Sequence, residues 1–383
     1  MKEEGPRERR VLVVVGTRPE AIKMAPVIRS LRALDAPIRT ALALTGQHSD
    51  LVDEVLQTFE LEPDWDLEIM RADQTLTEVA VGCLAGLDRL MRDWVPNLVL
   101  VQGDTASVFF AALSGFFHGV PRGHVEAGLR TGTLAQPFPE EGFRRLTGVL
   151  ADLHFAPTEG AAENLRREGV PDDRIEVTGN PVVDALLDVA GRGLTPESPV
   201  LKRLLEPDAP PFLLLTFHRR ESYGAPAERV FEAIRELVDG ESRLEVVFPV
   251  HPNPRIREPA RRLLGNHPRI HLTAPLGYAD LVTAVARARG VLTDSGGLQE
   301  EAPTFGTPVL VLREVTERLE GVRAGAATLV GTDPRRILEE SRRLLGRGDD
   351  DRKTRKNPYG DGRAGERIAR RVERFFFQEG GGT

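Results

Sequence analysis

The sequence predicts an α/β protein made of two similar halves, each with a parallel sheet covered by helices. Short apolar runs rich in Val, Leu and Ile alternate with longer amphipathic stretches along the whole chain. Continuous apolar runs joined by helices are typical of parallel strands that are buried on both faces. Ligands bind at the carboxyl ends of such strands, so we expect the two halves to face each other across a ligand-binding cleft.

The boundary between the halves is indicated by residues 191–211, where Gly and Pro are frequent among polar residues. This composition is typical of a connecting loop. We therefore expect an N-terminal domain at 1–190, a linker at 191–211 and a C-terminal domain at 212–362. Residues 363–383 should form a last helix that packs back on the N-terminal domain, followed by a frayed tail.

Periodicity and composition place the elements in order along the chain. We expect strands at Val11–Val15, Ala41–Thr45, Leu98–Gln102, Ile175–Thr178, Phe212–Thr216, Leu244–Val250, Arg269–Thr273, Gly290–Thr293 and Pro308–Leu312. We expect helices at Glu20–Leu34, Asp50–Phe59, Thr75–Trp94, Thr105–Phe117, Glu159–Glu168, Ala227–Val238, Tyr278–Ala288 and Pro334–Leu345. The first strand of each half ends in Thr and basic residues, which indicates a shared pattern.

Composition excludes several classes of protein. The chain has 383 residues, too many for one compact core, and a net charge of −7, which does not favour nucleic acid or an anionic membrane surface. The single cysteine, Cys83, excludes a disulfide framework, and the eight histidines lack the spacing of a metal site. No apolar stretch has the length of a signal-peptide core or a membrane span, so we expect a cytoplasmic protein.

The most informative segment is 291–306, in which an apolar strand is followed by Ser295-Gly296-Gly297. We expect a tight turn there and a helix from Leu298, with Glu300 and Glu301 in its first turn. Bare N–H groups at a helix start bind anions, and a carboxylate can accept hydrogen bonds from ribose hydroxyls. The segment thus predicts a nucleotide site. A glycine-capped connection with solvated glutamates would have the same sequence pattern and is the alternative.

The turn after the first strand is also suited to an anion. Residues 16–23 contain one glycine where a dinucleotide fingerprint needs three, so nicotinamide binding is disfavoured. Arg18 and Lys23 bracket the predicted helix start, where both could face a phosphate. A solvated arginine and a lysine on an exposed helix face are the alternative.

Three acids lie at strand–helix junctions: Asp104, Glu126 and Glu140. Carboxyl groups gathered in one cleft raise each other's pKa, which suits proton transfer near neutral pH. Helix capping or surface ion pairs would explain each acid separately. In the second half, His218 precedes two arginines after the first strand, a combination that suits phosphate binding and acid–base chemistry.

Taken in order, these motifs resemble the non-hydrolysing UDP-N-acetylglucosamine 2-epimerase family. The matching segments are GTRPEAIKMAP (16–26), TGQH (45–48), VQGDT (101–105), HVEAGLRTG (124–132), FPEE (138–141), VTGNPVVDAL (177–186), HRRE (218–221), PVHPNP (249–254), VLTDSGGLQEEAP (291–303), PVLVLREVTER (308–318) and NPYGDG (357–362). The set is highly specific because eleven segments occur in a consistent order over most of the chain.

The resemblance implies a GT-B-like pair of Rossmann-type domains, usually a homodimer, with no redox cofactor and no catalytic metal. It implies interconversion of UDP-GlcNAc and UDP-ManNAc for cell-surface polysaccharides, by elimination of UDP to 2-acetamidoglucal and re-addition. The catalytic residues implied are Asp104, Glu126, Glu140 and His218. The UDP-binding residues implied are Arg18, Lys23, His218, Ser295, Gly296, Gly297, Glu301 and Arg313, with Glu301 on the ribose. A second, activating substrate site is implied at Gln47, His48, Arg219 and His251.

The chain departs from the family pattern at four positions. Ser49 stands where the family often has Arg, Phe143 and Ser222 where it often has Asn, and Leu319 where it often has Pro. Ser49 and Ser222 bear on activation, whereas Phe143 is close to Glu140 and bears on the sugar pocket. Three other functions are compatible with the motifs: a hydrolysing epimerase, a GT-B glycosyltransferase and a non-catalytic nucleotide-sugar sensor.

Overall fold

The computed structural model describes residues 8–46, 50–71, 73–219, 222–316, 318–346 and 357–378. They fall into two compact units: unit 1 extends to Ala185 and resumes at Gly360, and unit 2 runs from Leu186 to Tyr359. Each unit contains one wholly parallel sheet with helices between its strands, so the predicted α/β fold class is confirmed.

Unit 1 is built on seven strands. They are β1 (Arg9–Val15), β2 (Ile38–Leu44), β3 (Trp65–Asp66), β4 (Leu98–Gln102), β5 (Arg122–Val125), β6 (Leu153–Ala156) and β7 (Ile175–Val177). They pair in the order β3-β2-β1-β4-β5-β6-β7. The helices are α1 (Arg18–Arg32), α2 (Asp50–Thr58), α3 (Leu76–Trp94), α4 (Ala106–Phe117), α5 (Glu140–Leu150), α6 (Glu159–Arg167) and α7 (Pro181–Gly191), the last of which crosses the unit boundary.

Unit 2 is built on six strands. They are β8 (Phe212–Thr216), β9 (Glu245–Pro249), β10 (Ile270–Thr273), β11 (Gly290–Thr293), β12 (Val309–Val311) and β13 (Ala327–Leu329), which pair in the order β10-β9-β8-β11-β12-β13. The helices are α8 (Pro199–Leu204), α9 (Ala225–Gly240), α10 (Pro254–Leu264), α11 (Tyr278–Arg287), α12 (Gly296–Glu301), α13 (Leu319–Arg323) and α14 (Pro334–Leu345). A final helix, α15 (Ala364–Phe377), belongs to unit 1.

The central strands are apolar along their length because helices cover both faces of each sheet. Residues Val11–Val15 of β1 and Leu98–Val101 of β4 are all buried, as parallel strands require. Helix α3 begins where a capping box satisfies its first N–H groups: the Thr75 hydroxyl accepts from the Glu78 N–H at 3.2 Å, and the Glu78 carboxylate accepts from the Thr75 N–H at 2.7 Å.

The order of strands reverses once in each sheet, between β1 and β4 in unit 1 and between β8 and β11 in unit 2. At such a switch point the crossover helices leave toward opposite faces, and a crevice opens at the carboxyl ends of the two strands. The loops that follow these strands are residues 16–17 and 103–105 in unit 1, and 217–219 and 294–295 in unit 2, and Arg18 begins α1 directly after the first of them. The topology therefore places Arg18 and Asp104 at the switch point of unit 1, and His218 and Ser295 at that of unit 2.

The stretch expected to be a linker, residues 191–211, contains helix α8. Leu201 and Leu204 of this helix are buried in an apolar core of unit 2 with Phe212 and Leu214. Pro199 occupies the first helical position, where proline favours a helix because its missing N–H would have no partner. Part of the proline content thus marks a helix start, and the unit boundary lies at 185/186.

Helix α15 packs against α1 within unit 1. A Cβ at Gly365 would lie 2.8 Å from the Pro26 carbonyl oxygen, so only glycine allows this approach. The Asp184 carboxylate accepts the N–H groups of Ala364 at 3.2 Å and Gly365 at 2.8 Å, which caps the start of the helix. Within the ranges given above, no helix is long and apolar enough to cross a membrane.

Candidate active site

The first loop of unit 1 brings a guanidinium to the switch point. A Cβ at Gly16 would lie 2.3 Å from the Ser107 hydroxyl of α4, so glycine lets the loop pack closely there. Arg18 follows, and its Nε and Nη2 atoms are buried with no hydrogen-bond partner among the residues that the structure describes. The ion pair recorded for Arg18 is a loose one, with Nη2 3.9 Å from Glu54 Oε2. Buried donors of this kind are costly unless an acceptor fills them, which favours an anion.

Asp104 follows β4 and is held by Arg144, a residue that was not predicted to belong to the site. Arg144 of α5 donates from Nε to Asp104 Oδ2 at 3.1 Å and also from Nη2. Its Nη1 donates to Glu141 Oε2 at 3.1 Å, and Glu141 is fully buried. Arg144 lies one helical turn after Glu140, which begins α5, so one side chain fixes Asp104 relative to that helix.

Glu126 lies at the end of β5 in a conformation that is unusual for a residue with a side chain. Its φ is +65°, in the left-handed region, and such outliers cluster at functional sites. Its carboxylate accepts from Lys23 at 2.7 Å, from Asn180 at 3.0 Å and from Gln102. Lys23 was predicted to bind UDP, and that role stays a prediction, since its ammonium contacts Glu126.

Phe143, the departure close to Glu140, packs between helices. Its ring is stacked on Phe109 of α4, with centroids 5.4 Å apart, and lies 5.9 Å from the ring of Phe110. The phenyl ring thus holds α5 against α4. Since α5 carries Glu140 and Arg144, Phe143 affects the site by fixing the position of this helix against α4.

In unit 2, the strands on either side of the switch point bring a buried carboxylate to His218. Asp294, which follows β11, has no exposed surface. Its carboxylate accepts the N–H of His218 at 2.9 Å and that of Arg219 at 2.8 Å, and it lies 3.2 Å from His218 Nδ1. An acid on one ring nitrogen orients a histidine and directs the other nitrogen outward.

The glycine-rich segment differs from the prediction in where its helix begins. Helix α12 starts at Gly296, so the glycines form its first turn, and Glu300 and Glu301 lie at its end. The expected placement of the two acids in the first turn is therefore wrong. Small side chains allow helical geometry here as readily as a turn, and sequence alone does not separate the two. The Glu301 carboxylate nevertheless folds back: a Cβ at Gly297 would lie 3.2 Å from its Oε1.

Two guanidinium groups approach the start of α12. A Cβ at Gly296 would lie 3.3 Å from Arg318 Cζ and 3.4 Å from Arg219 Nη2. Arg318 is positioned by the buried Glu300, whose Oε1 accepts from its Nε at 2.8 Å. Glycine at 296 therefore leaves room for both cations beside Ser295, an arrangement suited to a diphosphate.

The remaining predicted positions are dispersed. Arg313 follows β12, next to β11 in the sheet. The exposed His251 follows β9, and its ring lies 6.1 Å from that of His218 at an interplanar angle of 23°. Gln47 and His48 lie outside the described residues, as does Ser49.

Four site residues were not predicted: Glu20, Arg144, Asp294 and Arg318. A signal existed for three of them. Arg144 is four residues after Glu140, on the same helix face, and Asp294 directly precedes Ser295 at the end of a strand. Glu20 lies three residues after Thr17, the spacing of a capping box, and its carboxylate accepts from the Thr17 hydroxyl at 2.9 Å. Nothing in the sequence indicated Arg318, because its partner Glu300 comes from another element.

Two buried histidines make the stability of unit 1 depend on pH. His124 of β5 and His154 of β6 lie opposite each other in register, and burial lowers the pKa of each from 6.5 to about 4. The unfolded chain therefore binds protons more strongly between these values. The free energy of unfolding of unit 1 is therefore highest above about pH 6.5, and it decreases as the pH falls toward 4. Burial of Glu20 acts in the opposite sense, since it raises the pKa of that carboxyl from 4.5 to about 7.

The free energy of unfolding should fall less between about pH 7 and pH 5 in His154→Asn than in wild type, by about 2 kcal/mol. The measurement is urea-induced unfolding at the two pH values, with His251→Asn, an exposed histidine of unit 2, as the control. An unchanged difference between the two pH values in His154→Asn would contradict the assignment.

Comparison with known proteins identifies the family of the chain. A family model described as UDP-N-acetylglucosamine 2-epimerase matches residues 32–373. A UDP-N-acetylglucosamine 2-epimerase of Bacillus subtilis is 46% identical over 97% of this chain and 96% of its own, and one of Escherichia coli K12 is 45% identical over 94% and 97%. A crystal structure of the Neisseria meningitidis enzyme bound to UDP-GlcNAc has a TM-score of 0.86 at 40% identity, and covers 95% of this chain and all of its own. These matches confirm the GT-B-like fold class and the predicted resemblance: the chain belongs to the UDP-N-acetylglucosamine 2-epimerase family.

Proposed function

We propose that this protein is a non-hydrolysing UDP-GlcNAc 2-epimerase that eliminates UDP from its substrate and adds it back. The epimerase activity is supported by the family and by relatives at about 45% identity. The observation that carries the finer proposal is the uneven pairing of three carboxylates in unit 1. Asp104 is held by Arg144 and Glu126 by Lys23, whereas the structure records no basic partner for Glu140 within the described ranges.

The chemistry must first make the sugar C2 proton acidic, because no carbonyl is adjacent to C2. Cleavage of the anomeric C1–O bond sends the electron pair to UDP and leaves cation-like character at C1. The C2 proton then passes to a carboxylate as a C1=C2 double bond forms, which gives 2-acetamidoglucal and UDP. Return of a proton to the opposite face of C2 and re-addition of UDP at C1 complete the epimerisation.

Two faces of one carbon require more than one acid–base group. Asp104 and Glu126 each face a cation that balances the carboxylate charge, which suits groups that take up a proton. Glu140, for which the described ranges record no such partner, is the third candidate for proton transfer at C2. In unit 2, His218 on Asp294 and the two arginines beside Gly296 suit the charge that develops on the departing UDP. Glu301 and Ser295 lie beside the same turn and suit its ribose and phosphates.

The test is incubation with UDP-GlcNAc in D2O, followed by NMR of the sugar. The proposal expects deuterium at C2 and UDP-ManNAc as product. Free ManNAc would indicate a hydrolysing epimerase, transfer to an added acceptor would indicate a glycosyltransferase, and binding without C2 exchange would leave a nucleotide-sugar sensor. Any of the last three outcomes overturns the proposal.

We also propose that the protein acts in the cytoplasm as a homodimer joined through α4 and α5. Four apolar side chains on these adjoining helices are strongly exposed: Phe116, Phe117, Leu146 and Val149. Exposed apolar patches of this kind mark association surfaces. The double change Phe117→Glu and Val149→Glu should yield a monomer by light scattering, while Val177→Glu, at an exposed position elsewhere in unit 1, should not. A wild-type monomer would contradict the proposal.

Substrate activation at Gln47, His48, Arg219 and His251 remains a further proposal. It is supported by the position of His251, whose ring lies against His218. We expect a sigmoid dependence of the initial rate on UDP-GlcNAc concentration, and a hyperbolic one in His251→Ala. A hyperbolic wild-type curve would remove the second site, as the departures at Ser49 and Ser222 would permit.

A further inference from the structure

We propose that Glu20 is a positioning residue that ties the loop after β1 to the loop after β4, and through them sets the positions of Arg18 and Asp104. This inference rests on the proposed function, in which Arg18 binds UDP and Asp104 transfers a proton. Glu20 is in the first turn of α1 and is 2% exposed. A buried carboxylate next to a switch point requires partners, and their identity carries the argument.

The partners of Glu20 come from both loops. Its Oε2 accepts the backbone N–H of Gly16 at 2.6 Å, and its Oε1 accepts the hydroxyl of Thr17 at 2.9 Å. The same Oε1 accepts the hydroxyl of Thr105 at 2.8 Å. Thr17 immediately precedes Arg18, and Thr105 immediately follows Asp104. One carboxylate therefore connects two neighbouring strand ends at the residues adjoining the predicted site groups.

The three partners are all donors, and no cation is among them in the part of the chain that is described. The titratable groups that face Glu20 are Asp104, after β4, and the buried thiol of Cys83 on α3. Burial raises the pKa of Glu20 to about 7, while the hydrogen bonds from Gly16, Thr105 and Thr17 act against that rise. Both protonation states are therefore populated near neutral pH.

Protonation loosens the connection. The ionised carboxylate accepts all three hydrogen bonds, whereas a proton on either oxygen removes one acceptor site. The N–H of Gly16 cannot reverse its role, and a threonine hydroxyl that turns to accept the acid proton bonds to a neutral group, so the three hydrogen bonds lose the charge that strengthens them. The hydrogen bonds to the carboxylate are therefore strongest above about pH 7, where Glu20 is ionised, whereas the cost of burying its charge lowers the stability of the surrounding fold over the same range.

Glu20→Gln imitates the weakened state at every pH, because its amide group presents a donor to a set of donors. We expect the ratio of wild-type to Glu20→Gln kcat/KM to rise about tenfold between about pH 6 and pH 8, as one group with a pKa near 7 ionises. Other titrating groups are common to both proteins and cancel in the ratio. A ratio that stays constant across this range overturns the proposal.

The two arms of the connection can be separated with variants that keep side-chain shape. Thr105→Val should lower kcat about tenfold with little change in KM, and Thr17→Val should raise KM about tenfold with little change in kcat. Thr105→Ser and Thr17→Ser, which keep the hydroxyls, should restore the wild-type values. If both Val variants show the same decrease in kcat and the same increase in KM, the role of Glu20 is merely structural and the proposal is overturned.

Hydrogen exchange of the unliganded chain tests the connection without reference to activity. In Glu20→Gln, peptides covering 12–18 and 102–107 should both exchange about tenfold faster than in wild type at about pH 8, while peptides of unit 2 should be unchanged. Unchanged exchange in the two loops overturns the role of Glu20. A wild-type enzyme without C2 exchange, but with this protection pattern, would reject the proposed function and retain the tie between the loops.

Discussion

Replacing Arg144 with glutamine is expected to lower kcat by about 100- to 1,000-fold while leaving KM nearly unchanged. Arg144 places two donors on Asp104 and a third on the buried Glu141. Without it, Asp104 loses both its charge partner and its fixed position relative to α5, which begins with Glu140. The measurement is the rate of C2 deuterium incorporation into UDP-GlcNAc, followed by NMR.

Arg145 offers a matched control on the same helix. Its Nε donates to Glu141 Oε1 at 2.9 Å, and its side chain is 39% exposed. Arg145→Gln thus removes a donor from the same glutamate without touching Asp104, and kcat should stay within about threefold of wild type. If the two glutamine variants lose activity equally, the contact with Glu141 is responsible and the argument for Asp104 fails.

Asp294→Asn should reduce kcat by about 1,000-fold. The native carboxylate accepts the backbone N–H groups of His218 and Arg219 and lies beside His218 Nδ1. An amide cannot accept at both of its ends, so either a backbone contact is lost or the imidazole is held in the wrong tautomer. His218 would then no longer present the correct nitrogen to the departing UDP.

Asp280→Asn controls for the structural cost of this change. Asp280 is also buried in unit 2 and also accepts two backbone N–H groups, from Glu197 at 2.9 Å and Ser198 at 2.8 Å. Its loss should lower the midpoint of urea unfolding as much as Asp294→Asn does, while kcat per folded molecule stays near wild type. Equal losses of kcat in both variants would show that Asp294 serves only the fold.

Strand positions were predicted best where a long apolar run is buried on both faces. The bounds of β4, β8 and β11 agree with the predictions at every residue. The strands for which no range was predicted, β3, β5, β6 and β13, have two to four residues. Such strands are created by pairing with a neighbour more than by their own composition, and pairing is not visible in the local sequence.

The candidate site was predicted in its chain positions and less well in its contacts. Asp104, Glu126 and His218 follow strands, where parallel topology exposes them. The contacts of Arg144 with Asp104 and of Asp294 with His218 depend on which strands and helices are neighbours, which only the sheet order shows. Pairing of Lys23 with Glu126 was not foreseen for the same reason, since the two residues are 103 positions apart.

The contact of α15 with α1 has a consequence for the order in which the chain folds. Unit 1 receives this last helix only after all of unit 2 has been synthesised, because unit 2 occupies one uninterrupted stretch between its two parts. Unit 2 can complete its core while the nascent unit 1 still exposes the surface of α1 near Pro26. A chain released by a ribosome that stalls before Gly360 would therefore contain a folded unit 2 and an incomplete unit 1 with exposed apolar surface. Chaperones bind intermediates of this kind.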